Sequence, residues 1–356
     1  HNMYLYYISG NSSSYIALSS VTINDNILTN AYYYALYSYY YSHYPSISRN
    51  VITNRSNSST FYGLYLNYYN TVDTLEGNKV YINTSGTVYG MYSYYSNRYN
   101  AQGPMPIYNN EFIVKGSTTH GMYLYYPNVH VSHNSLHVTG TSTTYGIYTY
   151  INSTFAEIDR NNLYVESSTT VYMVYNGAGT SYLSSSYWDL DYNNYYRTGA
   201  GTTTYYGYSS YTTLLSWQNA YGQDANSKNV LPAFIDPTIN LELSDYSNVL
   251  CPSGGSVNYD INRVARSSYT TIGAYTVFIH NGKNIGLVEL LEPINTDKIG
   301  CYQDFANVRF SFANRGNVET EFYASPITFK LRVTGAVNYQ KDTILTFGKM
   351  IPTIKD

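Results

Sequence analysis

Asparagine recurs at positions 2, 26, 50, 78, 110, 134, 161 and 193, and each of these residues opens a short run of alternating apolar side chains. Asn26-Ile27-Leu28, Asn50-Val51-Ile52, Asn134-Ser135-Leu136-His137-Val138 and Asn161-Asn162-Leu163-Tyr164-Val165 show the pattern. The intervals are 24, 24, 28, 32, 24, 27 and 32 residues. A unit of that length cannot bury its apolar face alone and must stack on copies of itself. The result is a solenoid, in which each coil touches only its neighbours and a long surface replaces a single deep pocket.

A second motif follows each Asn by about a dozen residues. It reads Tyr62-Gly63-Leu64-Tyr65, Tyr89-Gly90-Met91-Tyr92, His120-Gly121-Met122-Tyr123 and Tyr145-Gly146-Ile147-Tyr148, with weaker copies at Tyr34–Tyr37 and Tyr172–Tyr175. Two strand signals per repeat, separated by Ser, Thr, Asn and Gly, predict coils of short strands and turns. Side chains alternate faces along a strand. With Leu64, Met91, Met122, Ile147 and Val174 inward, Tyr65, Tyr92, Tyr123, Tyr148 and Tyr175 point outward as a ladder, a candidate contact surface for a carbohydrate or a partner subunit. The Asn series is expected to be scaffold: Asn tolerates left-handed turn conformations, and identical amides at strand spacing form ladders. About eight coils would make a rod roughly 35–40 Å long.

These repeats resemble the right-handed parallel β-helices of bacterial surface and polysaccharide-active proteins, over about residues 1–200. The stretches Tyr192-Asn193-Asn194-Tyr195-Tyr196, Leu215-Ser216-Trp217-Gln218, Gly222-Gln223-Asp224-Ala225-Asn226-Ser227, Pro232-Ala233-Phe234, Asp260-Ile261-Asn262 with Arg266, and Ile272-Gly273-Ala274-Tyr275 are similar to the closing segment of β-helix proteins secreted by Bacteroidetes. The resemblance implies a cap followed by immunoglobulin-like modules and a surface or sorting tail. The expected organisation is a parallel β-helix over 1–211, a capping segment over 212–275 and an immunoglobulin-like β-sandwich over 276–356. Within the last, Leu287–Leu290, Val308–Phe312, Ile327–Val333 and Thr343–Phe347 read as alternating strands. They are fewer than a full sandwich requires, so the module is expected to be cut or completed by another molecule.

Composition narrows the function classes. Only 12% of residues are charged, the net charge is −3 and no basic cluster stands out, which argues against nucleic acid. Polarity comes from Ser, Thr, Asn and 49 tyrosines, 41 of them within residues 1–211. No run of about 18 apolar residues exists, so no membrane-inserted helix is expected. Cys251 and Cys301 are too few for a disulfide framework and allow either one clasp or two free thiols. The chain opens at His1-Asn2-Met3-Tyr4, inside the repeat, and reads as a processed product or a segment of a longer polypeptide. The expected location is extracellular or at the cell surface.

Enzymes on this fold need paired carboxylates or a carboxylate-held metal with a base. In the coils Asp189-Leu190-Asp191 is taken as the close acidic pair on a single strand face, and it is read as a solvated strand end. His120-Gly121 is similar to the His-Gly pair of polygalacturonases, yet it falls where other coils carry Tyr-Gly, which makes it a substitution within a structural repeat. His130, His133 and His137 are read as a surface scatter. No catalytic residue, metal or cofactor is therefore assigned. Asn-x-Ser/Thr triplets at Asn11, Asn54, Asn57, Asn83 and Asn152 are candidate glycan acceptors. Thr74 and Thr343, in Asp-Thr-Leu and Asp-Thr-Ile, resemble the O-glycosylation triplet of Bacteroidetes surface proteins. The reading that follows is a non-enzymatic extracellular subunit of a surface fibre, or an adhesin, self-associating through strand edges. A carbohydrate-binding module using the Tyr ladder is the alternative, and a polysaccharide lyase or hydrolase the third.

Overall fold

The computed structural model describes residues 2–6, 8, 21–55, 59–97, 103–200, 203–276, 285–292, 309–314, 320–322, 326–333, 339–346 and 349–350. The chain divides into two compact units, His1–Val277 and Phe278–Asp356.

The first unit is a parallel β-solenoid bounded by three sheets, one of eight strands and two of seven, slightly off the eight coils expected. The tyrosine sheet runs from Met3–Tyr6 through Tyr34–Tyr39, Phe61–Asn67, Val88–Tyr94, Thr119–Tyr125, Thr144–Tyr150 and Thr170–Asn176 to Thr203–Gly207. A second sheet holds Ile23–Asn24, Ile47–Ser48, Leu75–Glu76, Met105–Tyr108, Val129–Ser132, Ala156–Asp159 and Trp188–Asp191. The third, the Asn sheet, runs from Ile27–Ala31 to Asn194–Thr198. Two strand signals per repeat were legible in the sequence. The second-sheet strand went unseen because some copies are only two residues long, too short to show alternation.

Like residues stack in register between coils. Leu64, Met91, Met122 and Ile147 pair in one column. Leu75, Ile107, Val131 and Ile158 do so in another, and Ile52, Val80, Phe112, Leu136 and Leu163 in a third. All are fully buried in one continuous core. Each such side chain contributes about 1.5–3 kcal/mol by leaving water.

The corner between the second sheet and the Asn sheet explains the opening motif. Each interior Asn uses both its backbone N–H and its side-chain Nδ2 to donate to the Oδ1 of the next Asn: Asn78 to Asn110 at 2.9 and 2.9 Å, Asn110 to Asn134 at 2.9 and 2.9 Å, Asn134 to Asn161 at 3.0 and 2.9 Å. The second Nδ2 hydrogen goes to a core-strand carbonyl, such as Ile107 O for Asn134 at 2.8 Å. Every polar atom of these fully buried amides is thus paired, as burial demands. Two expectations are corrected here. The left-handed residue is the one before each Asn, namely Asp25, Arg49, Gly77, Asn109, His133, Arg160 and Tyr192, with φ between 52° and 71°. The Asn itself supplies the amide that makes this turn tolerable. Asn2 lies outside the ladder: it precedes a strand of the tyrosine sheet and donates to Thr29 O at 2.6 Å.

The ladder ends on the closing segment. Asn193 N donates to Ser227 Oγ at 2.8 Å and Asn193 Nδ2 to Asp224 Oδ1 at 3.2 Å. Asp224 takes the place of the next amide and also accepts from Tyr195 Oη, Ser227 Oγ and Trp217 Nε1 at 2.9, 2.6 and 2.9 Å. Trp217 sits on the helix Leu214–Tyr221, capped by Thr213 with Ser216 and stopped at left-handed Gly222. It is fully buried against Trp188 and plugs the open end of the core.

The segment does more than cap. Beyond it the chain returns along the outer face of the Asn sheet, where Phe234, Leu241, Ile261, Ala274 and Tyr275 cover Ile113. Buried Glu111 receives Leu241 N at 3.2 Å, Tyr81 Oη at 2.5 Å and the Tyr275 hydroxyl. Arg266 Nη2 reaches Asn109 Oδ1 at 2.7 Å and Gly273 O at 2.9 Å. Sequence motifs alone place this stretch only at the end of the β-helix.

In the second unit, Ile285–Glu292 pairs antiparallel with Arg309–Asn314, Ile327–Val333 with Tyr339–Leu345, and Thr320–Glu321 with Lys349–Met350. The Phe312 and Phe329 rings approach to 4.8 Å.

Candidate functional site

The outer face of the tyrosine sheet carries two columns of rings where the sequence foretold one. Along Phe61–Asn67 the side chains run in, out, in, in, out, in, out. The alternation slips one step at Gly63, so Tyr62 and Tyr65 both face outward around buried Leu64. Glycine is needed at that step. A Cβ on Gly63, Gly90, Gly121 or Gly146 would stand 2.5–2.6 Å from a carbonyl oxygen of the next coil. Strict alternation had hidden the first Tyr of each Tyr-Gly-x-Tyr, and the phase slip at Gly is the signal that would have revealed it.

The first column runs Tyr4, Tyr37, Tyr65, Tyr92, Tyr123, Tyr148, Tyr175 and Tyr208, with ring centroids 4.8, 4.8, 4.9, 5.1, 4.5, 5.6 and 5.5 Å apart. The second runs Tyr34, Tyr62, Tyr89, His120, Tyr145, Tyr172 and Tyr205 at 4.9, 4.7, 4.5, 4.6, 4.8 and 5.1 Å. Rings within a column are mostly near-parallel, whereas rings of the two columns meet edge-on at 80–88° for Tyr62–Tyr65, Tyr89–Tyr92 and Tyr145–Tyr148. Both geometries suit the aromatic quadrupole.

This herringbone decides what a partner can touch. Tyr92 lies between Tyr65 and Tyr123, so both of its ring faces are covered by other tyrosines. Sugar stacking on ring faces, the natural use of an aromatic ladder, is closed to the interior rungs. Half-buried ring edges and hydroxyls meet the solvent. Burial first, then neighbouring phenols, pushes Tyr62, Tyr123, Tyr145 and Tyr175 up to about 12, with Tyr65, Tyr92 and Tyr148 raised for the same reasons. The face therefore stays protonated at neutral pH and keeps its O–H donors.

His120 replaces a tyrosine in the second column, stacked at 9° on Tyr89 and 6° on Tyr145. Burial lowers its pKa to about 3, so the ring is neutral.

The other histidines are not a surface scatter. His130, His133 and His137 are all buried. His137 Nδ1 pairs with Pro237 O at 2.5 Å while its ring stacks on Tyr164 at 4.7 Å. His133 Nδ1 pairs with Ser132 Oγ at 2.9 Å. His130 faces two carboxylates on the outer side of the second sheet, with Nε2 3.1 Å from Asp159 Oδ1 and 3.5 Å from Glu157 Oε1. Its Nδ1 is 2.7 Å from the Tyr108 hydroxyl. Register puts His130, Glu157 and Asp189 in one column and Ser132, Asp159 and Asp191 beside it. Asp191 is no free strand end, since its two oxygens accept Asn226 N and Nδ2, each at 2.7 Å.

Cys251 is a buried free thiol packed with Val249 and Ile272, raised to about 11 by burial. The alternative of a clasp involves Cys301, which lies outside the described residues. Among the candidate acceptors, Asn83 and Thr343 are exposed and Thr74 and Asn152 half-buried. Asn54 is tied down, accepting Asn83 N at 2.9 Å and donating to Asn83 O at 2.9 Å. Asn11 and Asn57 lie outside the described residues.

No family model, curated protein or solved structure matches the chain. Among the described residues no helix is long and apolar enough to cross a membrane.

Proposed function

We propose that this chain is a non-enzymatic extracellular structural protein, a fibre subunit or adhesin of the Bacteroidetes type, whose tyrosine sheet is the face that meets a partner. The observation that carries the reading is the double column of interlocked rings. Each ring is held by column neighbours and by the facing column, so the surface is rigid and repeats once per coil. Binding to it costs little side-chain ordering entropy. A partner of matching period fits best: another copy of the chain, or an extended polymer lying along the solenoid. Strand addition between sheet edges of two copies would continue the tyrosine columns from one to the next, joining them head to tail. In this reading residues 276–356 form an immunoglobulin-like module, and Asn83 and Thr343 are the best-presented glycan acceptors.

Electron microscopy and sedimentation over a range of concentrations test it. Filaments or defined oligomers that the Tyr92→Ala, Tyr123→Ala pair weakens are expected, and a protein monomeric at all concentrations would sink the assembly reading. Glycan binding is the second reading, favoured by the row of protonated hydroxyls. Because the ring faces are covered, Tyr92→Phe with Tyr123→Phe should abolish such binding as fully as the Ala pair. Retention by the Phe pair would show that hydroxyls are not what the glycan recognises.

A further inference from the structure

We propose that His130, Glu157 and Asp159 form a binding site for a divalent first-row transition ion, with Zn2+ as the reference case. The three ligand atoms lie within 4.8 Å of one another. Zinc binds imidazole and carboxylate at about 2.0–2.2 Å, so two ligand atoms sharing one ion stand roughly 2.9–3.5 Å apart. The separations from His130 Nε2, 3.1 Å to Asp159 and 3.5 Å to Glu157, fall in that range. Glu157 and Asp159, within 4.8 Å of each other, close on an ion by a turn of the half-exposed Glu157 side chain.

The surroundings agree. A ligating imidazole uses its other nitrogen to donate to a fixed acceptor, which sets tautomer and ring orientation. Tyr108 Oη, 2.7 Å from His130 Nδ1, stands in that place. Asp159 Oδ2 is held by Arg160 Nη1, leaving Oδ1 for the ion. The His130 and Asp159 side chains are only 8% and 9% exposed, whereas Glu157 is 43% exposed. That gives two buried ligands and one half-exposed ligand at the solvent side, where an ion would enter and water would complete the sphere. Glu157, Asp159, Asp189 and Arg160 sum to −2, which a divalent ion neutralises. One imidazole with two carboxylates suits zinc or manganese better than calcium, which takes all-oxygen sets. An ion here would clasp two adjacent coils, since Val129–Ser132 and Ala156–Asp159 are neighbouring strands.

The test is calorimetric titration of the chelator-treated, dialysed full chain with ZnCl2, alongside Glu157→Gln and His130→Asn. The half-exposed Glu157→Gln keeps its fold, checked by circular dichroism, so the proposal stands or falls even if His130→Asn misfolds. Expected are one ion per chain for the wild type, a tenfold or greater loss of affinity in Glu157→Gln, and a higher melting temperature with Zn2+ in the wild type alone. Absence of wild-type binding, or binding that Glu157→Gln leaves unchanged, overturns the site and leaves His130 as an ordinary imidazole hydrogen-bonded to carboxylates.

Discussion

His120 shows how a single residue inherits its chemistry from the stack it joins. The free imidazole has a pKa near 6.5, and between Tyr89 and Tyr145 burial takes it to about 3. Above pH 6.5 neither the folded nor the unfolded chain holds the proton, and stability is complete. Below that value only the unfolded chain takes it up, so stability drains away from pH 6.5 down to about 3. His120→Tyr restores the column's usual residue and removes this liability. We expect wild type and variant to be similar at pH 7 and the variant to be ahead by about 3 kcal/mol at pH 4, read from urea midpoints. Parallel pH profiles would contradict it. The sequence placed His120 correctly within a structural repeat, but its buried, neutral state depends on two rings that lie 31 and 25 residues away.

At the scale of the element, the Asn corner and the Gly step do complementary work. The Asn amides satisfy turn polar groups from coil to coil, and the glycines bring coils close enough to turn both tyrosines outward. The ladder makes a graded prediction. Asn134→Ala removes an amide bonded to Asn110, Asn161 and Ile107 and strands buried donors and acceptors. Its cost is about 3 kcal/mol, from unsatisfied buried groups at 1–3 kcal/mol each with partial relaxation. Asn26→Ala, at a partly exposed rung, should cost about 1 kcal/mol in the same denaturation measurement. Equal losses would mean the rungs do not act as a buried ladder. Here the sequence was right that the Asn side chains stack as an amide ladder and wrong about which turn residue is left-handed. The positive φ belongs to the preceding residue, which varies from Gly77 to Tyr192 and so leaves no compositional trace.

Across the solenoid unit, stability rests on closing the end of a core that would otherwise stay open. Asp224 is the junction: it terminates the Asn ladder and holds Trp217 over the last coil. Burial raises its pKa while its four donors pull it down, so the carboxylate is kept because those donors need an acceptor. Asp224→Asn turns an NH2 toward at least one of them. A loss of about 2–4 kcal/mol is expected, together with faster hydrogen exchange in the coils nearest Trp188 before those at its far end. Uniform exchange throughout the unit would deny the cap this role.

The sequence by itself determined the solenoid, seven of the eight Asn rungs it named and one of the two outward tyrosine columns, because a repeating unit that buries one face has to stack on its own copies. The motif around Asp224 was visible too, as a segment following the last repeat. What only the tertiary structure decided is which residues from different coils meet. The loops differ in length, so neighbours in space are separated by intervals that no period announces. His130 meets Glu157 and Asp159, Glu111 meets Tyr275, and Asn109 meets Arg266 only because strand register brings coil onto coil and the closing segment folds back along the sheet. Alternation settles a residue's face within a strand; the stacking of coils settles its company.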